Sequence, residues 1–253
     1  MTILGSGTCV PSLERSASAV LVEADDTVIL LDAGVGTMRR LLEAGITIDR
    51  ITHLFFSHLH PDHTGEFVPL LFALKYPELT RRSGKLTIAG GKGFKAFHDG
   101  LGQVYGDWID LGEDMVEILE ITDSEPAVHS FGSFDITTLP MNHIASSLGY
   151  RITVPEGIAI VFTGDTDYCE NAVELARDAD LLICESSLPD EMKAPGHLTP
   201  SLAGKIATEA GVEHLVLTHF YPHCDRVDIE GQCRRTYDGD LALARDLMSI
   251  ELS

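Results

Sequence analysis

The sequence predicts an α/β fold in which two β-sheets pack together and helices cover their outer faces. Three observations lead there. Strand and helix patterns alternate at both ends of the chain, the centre is rich in strands, and each polar cluster falls just after an apolar strand. Sheets bury their apolar faces against a second layer, and two packed sheets with helices outside satisfy every face. Loops at one edge of such an assembly are where reactive groups are commonly mounted. The 253 residues can bury one large core. No linker, low-complexity tract or fixed-period repeat divides them, so residues 1–253 read as one domain.

The elements follow from local pattern. Ser18 to Glu23 and Thr27 to Asp32 are β-rich runs around Asp25-Asp26, a hairpin signal. Met38, Leu41 and Leu42 at helical spacing predict a helix over 36–44, stopped by Gly45. Ile51 to Ser57 reads as a buried strand ending at His58. Phe67, Leu70, Leu71 and Leu74 predict a helix from Glu66 to Tyr76, halted before Pro77. The centre holds strands at Lys85–Ala89, Val116–Ile121, Ala127–Phe131, Phe134–Pro140, Gly149–Val154 and Gly157–Thr163. A helix near Glu170 to Arg177 precedes a strand at Leu181 to Glu185. Thr199 is placed as an N-cap with Pro200 at the first helical position, and Gly211 closes that helix. Leu215 to Thr218 is a strand ending at His219, and Asp238 is expected to cap a last helix carrying Leu241, Leu243, Ala244, Leu247 and Met248.

Composition narrows the function. The net charge of −21 repels nucleic acid, which is gripped through clustered Lys and Arg. It does not forbid an anionic substrate, because bound metal reverses the local sign of a site. No apolar stretch approaches the roughly 20 residues that span a bilayer, so no membrane partner is expected. The N-terminus lacks a basic segment followed by an apolar one, and five cysteines without paired spacing suit reduced thiols. A cytoplasmic location is the expectation.

The densest chemical signal is Ser57-His58-Leu59-His60-Pro61-Asp62-His63-Thr64-Gly65. Buried and unpaired, three imidazoles and a carboxylate would be costly; a cation removes that cost by accepting their lone pairs. His58 and His60, two apart in an extended loop, can point the same way. Asp62 and His63 lie where the chain bends into the next helix and could face a neighbouring metal. His143, Asp165 and His219 each follow the C-terminal end of an apolar strand. Alone each reads as a capping residue; beside the dense motif they become candidate ligands. All donors are nitrogen or oxygen, a set that suits zinc, with manganese and iron compatible.

Taken in order, Asp32, His58-x-His60-x-Asp62-His63, His143, Asp165 and His219 resemble the metallo-β-lactamase superfamily over nearly the whole chain. The resemblance implies a four-layer αββα sandwich with two divalent metal ions at the sheet edge. His58, His60 and His143 would hold the first ion, Asp62, His63 and His219 the second, and Asp165 would bridge them. Asp32 looks like the superfamily's buried aspartate supporting the motif loop; it also reads as a strand-end turn residue before Ala33-Gly34.

Several branches of the superfamily fit poorly. Zinc β-lactamases of the commonest type carry cysteine at the place of Asp165, and flavodiiron proteins carry glutamate at the place of His60. Glyoxalase II enzymes append a helical domain, for which too few residues follow His219. Leu4-Gly5-Ser6-Gly7-Thr8, Leu31-Asp32-Ala33-Gly34-Val35-Gly36-Thr37, Thr163-Gly164-Asp165-Thr166 and Gly196-His197-Leu198-Thr199 resemble the ribonuclease Z-like and arylsulfatase-like group. Pro140-Met141-Asn142-His143 with Gly149-Tyr150 also resembles small cyclic-phosphate phosphodiesterases. Ribonuclease Z carries a long tRNA-gripping arm between the counterparts of His143 and Asp165. Here those residues are 22 positions apart and the interval reads as two strands, which argues against tRNA as partner.

His197 lies two residues before the expected N-cap, where free N–H groups favour an anion; it is expected to contact a phosphoryl oxygen or protonate the leaving group. Asp62 and His197 are the expected catalytic side chains. Glu185, at a strand end, is placed to orient a ligand or His197, with a surface carboxylate as the plain alternative. The leading expectation is hydrolysis of a small anionic phosphodiester, such as a cyclic nucleotide, by a metal-bridging hydroxide. A sulfatase, lactonase or other esterase would use the same site; a ribonuclease Z-like endonuclease and a non-catalytic metal-binding protein rank below it. The ribonuclease Z-like group implies a homodimer.

Overall fold

The computed structural model describes residues 1–76, 84–122 and 125–252. Its strands are β1 (Thr2–Gly5), β2 (Ala19–Ala24), β3 (Thr27–Leu31), β4 (His53–Phe56), β5 (Leu86–Gly90), β6 (Val116–Glu120), β7 (Ala127–Ser130), β8 (Asp135–Pro140), β9 (Leu148–Thr153), β10 (Ala159–Phe162), β11 (Leu181–Glu185), β12 (His214–Thr218), β13 (Asp240–Leu243) and β14 (Met248–Ser249). Its helices are α1 (Thr37–Glu43), α2 (Pro61–Thr64), α3 (Phe67–Lys75), α4 (Phe94–Tyr105), α5 (Glu170–Leu175), α6 (Pro200–Ala210) and α7 (Ile229–Cys233). The strands form two seven-stranded sheets, ordered β14-β1-β2-β3-β4-β5-β6 and β13-β12-β11-β10-β9-β8-β7. In both, the antiparallel part (β14-β1-β2-β3 and β10-β9-β8-β7) continues into parallel strands (β3-β4-β5-β6 and β10-β11-β12-β13).

Alternation along the strands builds the layers. On β3, Ile29 and Leu31 point into one core and Val28 and Leu30 into another. On β4, Phe55 faces the first core, while Leu54 and Phe56 face the second. The first core fills the space between the sheets and extends to Ala172, Leu175, Ala203 and Ile206 of α5 and α6. The second packs Leu41 of α1, Phe67, Leu70 and Leu71 of α3 and Phe94 of α4 onto the first sheet's outer face. Each such apolar side chain stabilises the fold by about 1.5–3 kcal/mol when fully buried. The order is helix, sheet, sheet, helix: the αββα sandwich expected.

The sequence expectation fails at the C-terminus. The helix expected after Asp238 is absent; that stretch forms β13, parallel to β12, and β14, antiparallel to β1. The spacing of Leu241, Leu243, Ala244, Leu247 and Met248 suited a helix. Two open sheet edges offered ladder hydrogen bonds instead, and Leu247, at φ 65°, breaks any helical run between them. Three helices went unread: the one-turn α2 inside the motif, α4, whose Phe94, Phe97 and Leu101 pack on the outer core, and the short α7. Pro77, expected to stop α3, lies outside the described residues; α3 itself ends at Lys75.

Three strand ends share one backbone device. Asp32 after β3, Gly164 after β10 and His219 after β12 have φ of 59°, 56° and 60°. A left-handed residue turns the chain over the sheet edge; Asp and His tolerate it better than most, and glycine freely. Strain of this kind gathers at functional sites.

Candidate metal centre

The loop after β4, with α2, carries His58, His60, Asp62 and His63; the loops after β8, β10 and β12 bring His143, Asp165 and His219 to the same edge. One group, His58, His60, His143 and Asp165, has ligand atoms all within 4.8 Å of one another, and so does a second, Asp62, His63 and His219. Asp165 faces both. Its Oδ1 is 3.4 Å from Nε2 of His63 and 3.4 Å from Nε2 of His219. Its Oδ2 is 3.8 Å from Nε2 of His58 and 3.9 Å from Nε2 of His143. The structure therefore brings together all seven residues expected as ligands, in the two sets expected. His197 stands beside them: with Asp165 and His219 it forms a third group of the same spacing.

Two buried carboxylates brace this cluster, one from each sheet. Asp32 is fully buried and accepts from Ser57 N (2.7 Å), Ser57 Oγ (2.8 Å) and His63 Nδ1 (2.7 Å). Because Ser57 Oγ donates to Asp32, it is left to accept from His58 Nδ1 at 3.1 Å. Glu185, also buried, accepts from Ser187 Oγ (2.6 Å), His197 Nδ1 (3.0 Å) and Thr166 N (2.9 Å). Ser187 Oγ then accepts from His219 Nδ1 at 2.9 Å. Each carboxylate fixes one histidine directly and a second through a serine. The carbonyl of Gly196 fixes His143 by accepting from its Nδ1 at 2.8 Å.

These partners assign the tautomers. With Nδ1–H donating outward, His58, His63, His143 and His219 turn Nε2 lone pairs inward. His63 Nε2 and His219 Nε2 meet at 3.2 Å, as do His143 Nε2 and His60 Nδ1. Opposed lone pairs at that distance repel unless a proton or cation lies between them. His58 Nε2 and Asp165 Oδ1 are buried without a hydrogen-bond partner. Such orphaned donor atoms fit metal ions.

The electrostatics agree. Burial, then the neighbouring His63, pushes His58 down to about 2, a neutral ligand. Burial opposes ionisation of Asp165, but His219 and His63 outweigh it and hold the carboxyl well below its ordinary value. Burial would likewise lower His63, yet Asp165 and Asp32 hold it well above. A cation would take the place of that proton. Asp62 is drawn down to about 2: burial opposes, while the neighbouring imidazoles of His219, whose Nε2 is 3.6 Å from Oδ2, and His63 prevail.

A family model described as the β-lactamase superfamily domain matches residues 27–220. An uncharacterised protein of Mycobacterium tuberculosis is 33% identical over 242 residues, covering 94% of this chain and 87% of the relative. The chain belongs to the β-lactamase superfamily. A ribonuclease Z of Methanothermobacter thermautotrophicus is 25% identical over 303 residues, covering 100% of this chain and 96% of the relative. Among solved structures, the metallo-β-lactamase fold protein YhfI of Bacillus subtilis has a TM-score of 0.83 at 24% identity, over 98% of this chain and 96% of that one. The short form of human tRNase Z has a TM-score of 0.79 at 26% identity, over 100% and 98%. A diphosphatase of the PhnP family has a TM-score of 0.70 at 20% identity, over 100% and 97%.

The interval between His143 and Asp165 is the antiparallel pair β9 and β10, two strands as the sequence predicts there. The bracing serines went unread, although Ser57 adjoins the motif and Ser187 follows Glu185 by two residues. His53, which matches no motif of the superfamily and reads as a structural or surface residue, packs its ring against Phe55, Phe131 and Phe134.

The motif loop is held from below by Gly34. A Cβ there would stand 2.2 Å from the Asp62 carbonyl and 2.8 Å from Ala17 Cβ. Gly34→Ala should destabilise by about 1–3 kcal/mol and move Asp62. Denaturant titration and metal stoichiometry check this; an unchanged midpoint with full metal content would contradict the tight contact.

Proposed function

We propose that this superfamily member is a metal-dependent phosphodiesterase for small anionic esters of the nucleotide type, with two divalent ions, zinc foremost. The observation that carries the reading is the position of Asp165 between two sets of inward lone pairs, with the braced His197 beside it. His58, His60 and His143 would hold one ion, Asp62, His63 and His219 the other, and Asp165 both. Bound there, divalent ions supply acidified water as nucleophile at neutral pH and positive charge against a phosphoryl group.

The remaining work falls to this chain's own side chains. Asp32 and Glu185 keep the imidazoles in the tautomers that present Nε2. Glu185 also holds His197 by Nδ1, which orients the ring at the cluster edge. Burial would lower the His197 pKa, but its hydrogen bond to Glu185 and that carboxylate's charge raise it. His197 is placed to touch a phosphoryl oxygen or to pass a proton to the departing alcohol.

Relatedness to a ribonuclease Z and likeness to tRNase Z support phosphodiester chemistry over sulfate, lactone or thioester chemistry. The short β9–β10 hairpin and the net charge of −21 support a small molecule over tRNA. The test is turnover of bis-p-nitrophenyl phosphate and cyclic nucleotides by zinc- or manganese-loaded protein. Full metal occupancy with no phosphodiester turnover, beside hydrolysis of sulfate esters, lactones or thioesters, would overturn the reading.

Removal of the ions has its own expected result. With zinc at about 1,000 times its Kd, binding adds about 4 kcal/mol of stability. Chelation should therefore lower Tm by roughly 10 °C, and added zinc should restore it. A melt unaffected by chelator, with metal analysis confirming removal, would contradict the assignment.

A further inference from the structure

We propose that the pocket beside Asp62 seats the aromatic, base-like part of the substrate, with Arg39 as the mobile cation that meets its charge. This rests on the phosphodiesterase reading and names the substrate part that the metal cluster does not hold. The pocket has a volume of about 460 Å³ and is walled by the loop from Thr8 to Ala17, by residues near the start of α1, and by Pro61 and Asp62 of the motif loop. That volume lies in the range of small-molecule sites, about 300–1,000 Å³.

Two independent features give the ligand's chemistry. The first is apolar. Val10, Pro11, Leu13 and Val35 line the pocket, and Leu13 and Val35 are 102% and 62% exposed. Large apolar side chains held in water beside a reactive cluster gain stability when a planar apolar group covers them. The second is charge. In a chain of net charge −21 with 18 basic residues, three arginines line this one pocket. Asp62, a candidate metal ligand, is the one acid among its lining residues.

The arginines differ in freedom. Arg15 donates to Ser6 Oγ, the Ala244 carbonyl and Asp225. Arg40 is tied to Ser16, Glu43 and Asp246. Arg39 bonds Glu43 at 2.9 Å, and its side chain is 81% exposed. An exposed pair of this kind holds weakly, so the Arg39 guanidinium can leave it for an anion or a ring face in the pocket. A phosphate ester bearing a flat apolar ring, such as a nucleotide, combines the two chemistries.

The test is calorimetric titration of the zinc-loaded protein with adenosine 5′-monophosphate and with ribose 5-phosphate, which lacks the ring. Both variants used lie at exposed positions, and their melts verify folding. Leu13→Asn should weaken adenosine monophosphate about five-fold and leave ribose 5-phosphate unchanged. Arg39→Glu should weaken both by about five-fold, less so at high salt. Equal effects of Leu13→Asn on the two ligands, or none, would overturn the ring seat, and indifference to Arg39→Glu would overturn the cation's part. Binding is read without turnover. Side-chain-dependent binding with no phosphodiester cleavage sinks the reaction and keeps the pocket. Cleavage with KM untouched by either variant keeps the reaction and sinks the pocket.

Discussion

His197→Gln is expected to lower kcat by about 100-fold or more while zinc content stays at the wild-type level. The ring sits at the edge of the cluster with Nδ1 3.0 Å from Glu185 Oε1 and 3.8 Å from Asp165 Oδ2. Glutamine keeps polarity and approximate size but cannot supply an imidazole proton. A drop in kcat at nearly constant KM would mark an interaction made in the transition state. The alternative is concrete, because Asp165, His197 and His219 also lie within 4.8 Å of one another and could share an ion. Metal analysis separates the two. Loss of one equivalent of zinc together with activity would make His197 a ligand and end its proposed role. Retained zinc with activity lost would support that role.

Much of the centre was legible because its densest part is local. Three histidines and an aspartate within six residues need no long-range knowledge to be read as ligands. His143, Asp165 and His219 were legible through a weaker rule, their position after apolar strands, which the sheet order turns into proximity. What braces the ligands was legible only in part: the sequence offered Asp32 and Glu185 beside plainer alternatives and gave no sign of Ser57, Ser187 or the Gly196 carbonyl. Asp32 reaches His63 across 31 residues, and His143 depends on a carbonyl 53 residues away. Such pairings depend on which loops meet over the sheet edges, and spacing along the chain does not encode that. The C-terminal misreading has the same origin. Apolar positions from Leu241 to Met248 satisfy a helical period, but the open edges of β12 and β1 decide the outcome, and both are remote in sequence.

Asp32 poses the sharper question, because the sequence allowed both a turn residue and a brace. Its φ of 59° serves the turn, and its three hydrogen bonds of 2.7, 2.8 and 2.7 Å serve the brace. Asp32→Ala should destabilise by about 3–5 kcal/mol, since it strands three buried donors and puts alanine in the left-handed region. That loss alone would not separate the two roles. Asp32→Asn does, because asparagine tolerates the same φ and its carbonyl can still accept from Ser57 N. Its NH2 would replace Oδ2, which now accepts from Ser57 Oγ and His63 Nδ1. His63 Nδ1 would then have to accept, moving its proton to Nε2 and removing the lone pair aimed at His219 and Asp165. Asp32→Asn should therefore keep most of the stability while metal affinity falls about 10–100-fold. Equilibrium competition with a zinc-binding dye, beside a denaturant titration, reads both quantities. Wild-type zinc affinity in the asparagine variant would reduce Asp32 to a turn residue and leave the tautomer of His63 without its cause.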